Sequence, residues 1–146
     1  MLARSAWQHL IPHRGAMCLL DAVIAWDDAR IALVTASHRR ADNPLRSDGI
    51  LRAVHLCEYG AQAMAIHGGL LAQREGRAAA PGYLVSLRGV KLCLARIDAL
   101  PGALAVSAEK LLATAGSWQY GFRVEHAGVL LAEGRAAVLA QRAEPV

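Results

Sequence analysis

Between Ile50 and Ala72 the chain is built mostly from Ala, Leu, Ile, Val, Met and Gly, with Arg52, His55, Glu58, Gln62 and His67 set into it. It is the only stretch long enough to cross a bilayer, but five polar or ionisable side chains would be costly in lipid. The expectation is therefore a long helix buried inside a protein, capped by Ser47 or Asp48. Its end is expected near Gly68-Gly69 or a few residues later, before the polar run Gln73 to Arg77 and the Pro81-Gly82 turn marker. A helix that is apolar almost all round has to be enclosed, so the rest of the chain must supply the enclosure.

That remainder reads as strands. Met17 to Trp26 and Arg30 to Ser37, joined at Asp27-Asp28, suit a hairpin. After the helix, Tyr83 to Leu94, Ala103 to Ala113, Trp118 to Glu125 and Val129 to Gln141 are apolar runs. Turn signals separate them at Asp98 to Gly102, Ala115-Gly116 and His126 to Gly128. A hairpin, one helix and about four further strands make an α+β fold: an antiparallel sheet wrapped around a long central helix, as a single domain over residues 1–146. Hydrophobic residues make up 55% and aromatics only 5%, so Leu, Ala and Val must do most of the packing.

Several function classes are weakened by composition. The net charge is +4, with no dense Lys/Arg run and no aromatic ladder, which argues against nucleic-acid binding. Cys18, Cys57 and Cys93 are odd in number and widely spaced, with no CxxC pair or Cys/His cluster, so no metal site is expected. Buried free thiols and an N-terminus without a signal peptide's apolar run point to the cytoplasm and to no membrane association.

At 100° per residue, His55, Glu58 and Gln62 fall within roughly a 60° sector of the helix. A carboxylate in apolar surroundings is expensive unless paired. Burial raises its pKa toward the range useful for proton transfer. Gln62 would orient it, and His55 would be its acid/base partner. The competing reading is a structural pair with Arg88 or Arg96. His67, on the opposite face, reads as structural.

These residues carry a family resemblance. Leu10-Ile11-Pro12-His13-Arg14 followed by Met17-Cys18-Leu19-Leu20-Asp21, Glu58-Tyr59-Gly60-Ala61-Gln62-Ala63, and Ile97-Asp98 before Pro101-Gly102 resemble the hotdog-fold 3-hydroxyacyl-[acyl-carrier-protein] dehydratases. The dehydratase-like proteins of aryl polyene and polyketide-type clusters are more similar still. The resemblance implies a hotdog fold and elimination of water from a 3-hydroxyacyl thioester, giving a trans-2-enoyl product. Glu58 would be the acid, and backbone N–H groups near Gly49 would polarise the thioester carbonyl. In the family a histidine upstream of the helix, contributed across a dimer interface, completes the pair. Here Pro44, preceded by Asn43, stands at that position, and His38 lies further upstream. The base would be His55 or His38, or come from a partner subunit.

The resemblance further implies Gln62, Asn43, Pro44, Gly49, Arg88 and Gly89 as substrate-binding residues. No bound cofactor is expected, because the substrate rides on the phosphopantetheine of acyl carrier protein. That acidic carrier would meet Arg39, Arg40, Arg46, Arg88 and Lys91. The chain would form a homodimer or larger assembly, or a heterodimer with another hotdog subunit. Two alternatives stand beside the dehydratase: a thioesterase on the same fold, with Glu58 activating water, and a catalytically impaired subunit that completes an active dehydratase.

Overall fold

The computed structural model describes residues 1–77 and 82–140. Seven strands form one antiparallel sheet around one helix. They are β1 (Leu2–Ala3), β2 (Ala22–Trp26), β3 (Arg30–Thr35), β4 (Gly82–Leu92), β5 (Leu104–Thr114), β6 (Ser117–His126) and β7 (Val129–Ala140). Their order across the sheet is β1-β2-β3-β5-β6-β7-β4. The helix, α1, spans Leu56–Arg74. The expected α+β hotdog architecture is thus present. Pro81 and Gln141, named from the sequence as a turn marker and a strand end, lie outside the described residues.

Strand alternation does the enclosing. Along β5, Leu104, Val106 and Ala108 are buried, and along β6, Tyr120, Phe122 and Val124, while the residues between them point away from the helix. Phe122 is the only phenylalanine in the chain. A Cβ added at Gly60 of α1 would lie 2.6 Å from its ring, and one at Gly134 of β7 would lie 3.0 Å from it. Two residues without side chains therefore let helix and sheet close on a single aromatic.

The helix starts later than the sequence pattern suggests. Asp48 and Gly49 adopt left-handed conformations (φ 55° and 73°), which no α-helix accommodates. Ser47 and Ile50 exchange both backbone hydrogen bonds across them, at 2.9 and 3.0 Å, forming the tight turn that Asp-Gly favours. The next residues are then taken by the chain around Ile97. Ile97 N–H donates to Leu51 C=O, Ala53 N–H to Ala95 C=O, and Leu51 N–H to the Asp98 carboxylate at 3.1 Å. A 3-10 turn, Ala53–His55, leads into α1. The Ser47 or Asp48 cap and the helical segment from Ile50 are corrected accordingly. The other end passes Gly68-Gly69 and runs to Arg74, two residues into the polar run that was expected to follow it: Gly76, at φ +70°, with Gly76 N–H to Gln73 C=O and Arg77 N–H to Ala72 C=O, closes a Schellman motif.

The first predicted strand is also shorter. Gly15–Met17 is a 3-10 turn and pairing in the sheet begins at Ala22. Side chains have taken the intervening backbone: Gln62 accepts the Leu19 N–H, and Thr35 and Ser37 both donate to the Leu19 C=O.

At the far edge of the sheet β4 pairs, among the described residues, with β7 alone. Leu84, Val85, Leu87, Val90 and Leu92 on this strand are 40% to 52% exposed, an apolar edge of the kind that invites another strand.

Candidate active site

Glu58 sits in the first turn of α1 with its side chain 35% exposed, so the deep enclosure expected for it is not what the fold provides. Its carboxylate is in contact with two groups. His13 Nε2 lies 3.3 Å from Glu58 Oε1, and Gln62 Nε2 reaches the same oxygen at 3.4 Å. The histidine beside Glu58 is thus His13, from the turn after Ile11-Pro12. The second ring nitrogen, His13 Nδ1, is buried with no hydrogen-bond partner among the described residues.

His55 does not join this pair. It ends the 3-10 turn before α1, half-buried, and no hydrogen bond or ion pair links it to Glu58 among the described residues. It lies in the 3-10 turn that runs directly into α1, with helical backbone angles, yet its ring is not joined to the carboxylate. His38 is equally remote in role: it is fully buried, and its Nε2–H donates to Leu100 C=O at 2.9 Å. Burial pushes the pKa of His38 down. Arg96 is committed to Asp98, and no ion pair joins Arg88 to Glu58 among the described residues.

Gln62 is fully buried and occupied by the protein itself. Its oxygen takes the Leu19 N–H at 2.9 Å and its amide donates to Met17 C=O at 2.7 Å. It therefore holds the segment that follows His13. Asn43 is likewise buried and internal: its amide donates to Ser37 C=O and Tyr59 Oη, and its oxygen accepts the Leu45 N–H. Pro44 is exposed beside it, and Gly49 forms the turn already described, its carbonyl accepting from Arg46. Arg88 and Gly89 lie on the open edge strand, where Gly89 (φ +58°) occupies a break in the register between Arg88 and Lys91.

A cleft of about 320 Å³ opens beside the pair, lined by His13 with Arg4, Gln8, His9, Arg14 and Cys18, and with no carboxylate in its wall. A larger groove of about 760 Å³ crosses the sheet near Arg30, Arg123 and Arg135 but includes neither His13 nor Glu58. Among the described residues no cluster of three potential metal ligands occurs, and no helix is long and apolar enough to cross a membrane.

Sequence reasoning quoted His13 only as part of a motif. The signal that would have promoted it was there: an imidazole in a Pro-His-Arg turn, followed by an apolar segment that Gln62, one turn from Glu58, was free to hold. Chemically, an imidazole and a carboxylate in near contact, partly open to solvent, form a pair able to remove one proton and deliver another.

A family model described as "ApeP-like: ApeP dehydratase" matches residues 5–145. Among solved structures, the dehydratase heterocomplex ApeI:P from Xenorhabdus doucetiae superposes with a TM-score of 0.82 at 21% identity, covering 92% of this chain and 90% of that one. An HP0420 homologue from Helicobacter felis gives 0.65 at 13% identity, covering 97% and 89%. A hypothetical thioesterase from Streptococcus pneumoniae, solved with coenzyme A, gives 0.59 at 12%, covering 83% and 87%. At these identities the structural likenesses speak for the hotdog fold. No curated protein matches the chain.

Proposed function

Because the chain belongs to the ApeP-like dehydratase family, we propose that it dehydrates 3-hydroxyacyl groups held as thioesters on acyl carrier protein, in aryl polyene biosynthesis. The observation that carries this reading is the 3.3 Å contact between His13 Nε2 and Glu58 Oε1 at a partly open position. Neutral His13 takes the α-proton, whose acidity the thioester carbonyl supplies. Protonated Glu58 gives its proton to the departing 3-hydroxyl, which leaves as water as the Cα–Cβ double bond forms. The pair ends as imidazolium and carboxylate, and a proton passing from His13 Nε2 to Glu58 Oε1 across the same contact resets it. Gln62 holds the carboxylate oxygen and the backbone after His13.

The substrate arrives on phosphopantetheine, so no resident cofactor is invoked. Arg39, Arg40 and Arg46 give the acidic carrier its docking charge, whereas Arg88 and Lys91, also expected to do so, lie on the β4 edge that a second subunit would cover, and the setting is cytoplasmic. The open apolar edge of β4 receives a second hotdog subunit, and the ApeI:P heterocomplex makes a non-identical partner the first choice over a second copy.

Mass analysis of a 3-hydroxyacyl carrier thioester, incubated with the protein alone and with its partner subunit, tests the reading. Loss of water that disappears with Glu58→Gln and His13→Ala is expected. Release of free acid would turn the assignment toward a thioesterase. Undiminished dehydration by both variants of the complex would assign the chemistry to the partner.

A further inference from the structure

Tyr59 follows Glu58 directly and is fully buried, yet its hydroxyl does not face apolar carbon alone. It lies 2.8 Å from Ser37 Oγ and receives the Asn43 amide at 3.1 Å. The donors around it can be counted. Ser37 Oγ donates to Leu19 C=O at 2.6 Å, Thr35 Oγ1 donates to the same carbonyl at 2.5 Å, and Ser37 N–H donates to Thr35 Oγ1 at 3.0 Å. Either hydroxyl of the Tyr59–Ser37 pair can donate; because Asn43 Nδ2 is itself a donor, Ser37 Oγ is the acceptor within reach of the Tyr59 O–H among the described residues, and we take the proton to lie there. A one-directional chain results, from Asn43 to Tyr59 to Ser37 to the Leu19 carbonyl.

The other side of the same residue is held as well, since Leu19 N–H donates to Gln62. Leu19 is therefore held at its carbonyl by Thr35 and Ser37, the latter bonded to Tyr59, and at its amide by Gln62; Tyr59 and Gln62 both follow Glu58 on one helix. The grip extends toward His13 through a tight turn, with Cys18 N–H on Gly15 C=O and Met17 N–H on Arg14 C=O.

We infer that the Tyr59 hydroxyl is a positioning group for the dehydration: through Ser37 and Leu19 it sets the separation of His13 from Glu58 without touching substrate. This rests on the proposed pairing of those two residues. Displacements well under an ångström between acid and base are enough to slow proton transfer.

Tyr59→Phe keeps the ring and removes only the hydroxyl. In the complex with its partner, kcat is expected to fall about tenfold with KM changed less than twofold. Ser37→Ala should act in the same direction, and the double variant should be no slower than Ser37→Ala alone, because both cut one chain. Independently of turnover, the Leu20 amide, whose peptide contains the Leu19 carbonyl, should shift in the ¹H–¹⁵N spectrum of Tyr59→Phe. Turnover within twofold of wild type in Tyr59→Phe, with Glu58→Gln inactive, would overturn the positioning role and leave the dehydratase reading intact. An unmoved Leu20 amide would do the same. Full activity in Glu58→Gln would remove the reading on which the inference rests, whatever Tyr59 does.

Discussion

One helix carries two histidine pairs on opposite sides, and they are built to opposite ends. His67 lies wholly within the core, its Nε2–H donating to Asp27 C=O and its Nδ1 accepting the Tyr120 hydroxyl, both at 2.8 Å. The rings meet edge to face, and burial pushes the imidazole pKa down and the phenol's up. Every polar atom there is satisfied in one protonation state. The His13–Glu58 pair is partly open to solvent, one ring nitrogen has no partner, and the carboxylate shares its oxygen with Gln62 at long range. An unpartnered ring nitrogen does not by itself mark function, since the buried His38 Nδ1 also lacks a partner among the described residues; what sets the His13–Glu58 contact apart is its partial exposure.

The comparison can be broken most directly at the open pair. Glu58→Gln is expected to lower kcat by about 100- to 10,000-fold in the dehydration assay, while thermal unfolding stays close to wild type. At the closed pair the effects should invert. His67→Leu orphans the Asp27 carbonyl and the Tyr120 hydroxyl, and chemical denaturation should show a loss of about 2–3 kcal/mol with kcat little changed.

A pH series sharpens the same contrast. His67 and His38 both have pKa values lowered by burial from the ordinary 6.5. As pH falls through 6.5 the unfolded chain takes up protons that the folded chain refuses, so stability is full above that pH and declines below it. Melting temperature should drop on acidification, and less steeply in His67→Leu. The smallest effect is expected at His55, which touches neither pair: His55→Ala should leave kcat within about threefold.

Most of the fold was legible because strand alternation and turn residues are local signals. Asp27 accepts the Ala29 and Arg30 N–H groups just where Asp27-Asp28 marked a turn, and β5, β6 and β7 begin and end within a residue or so of their predicted limits. The helix start was misread because Asp48-Gly49 serves equally as a cap or as a left-handed turn, and the choice is made by a distant segment, Ala95 to Asp98. The same distance hid the contact between His13 and Glu58. His13 belongs to a segment that Gln62 and Ser37 tie down at Leu19, far from the helix in sequence, and no periodicity within a helix records that. Glu58 itself was visible early, since a carboxylate on an apolar helix needs an explanation wherever the chain is cut.

The contact of Phe122 with Gly60 and Gly134 has a consequence for how this sequence can drift. A methyl group at position 60 would lie 2.6 Å from the ring and force something to shift, whereas one at position 134, 3.0 Å from the ring and 3.2 Å from Val90, asks its neighbours to give by only a few tenths of an ångström; shrinking the ring alone opens a void between helix and sheet. A smaller residue at 122 together with alanine at 60 offsets the lost volume. Positions 60 and 122 are therefore coupled more tightly than 134 and 122, so an alanine at 60 is expected to be tolerated best where the ring has become smaller.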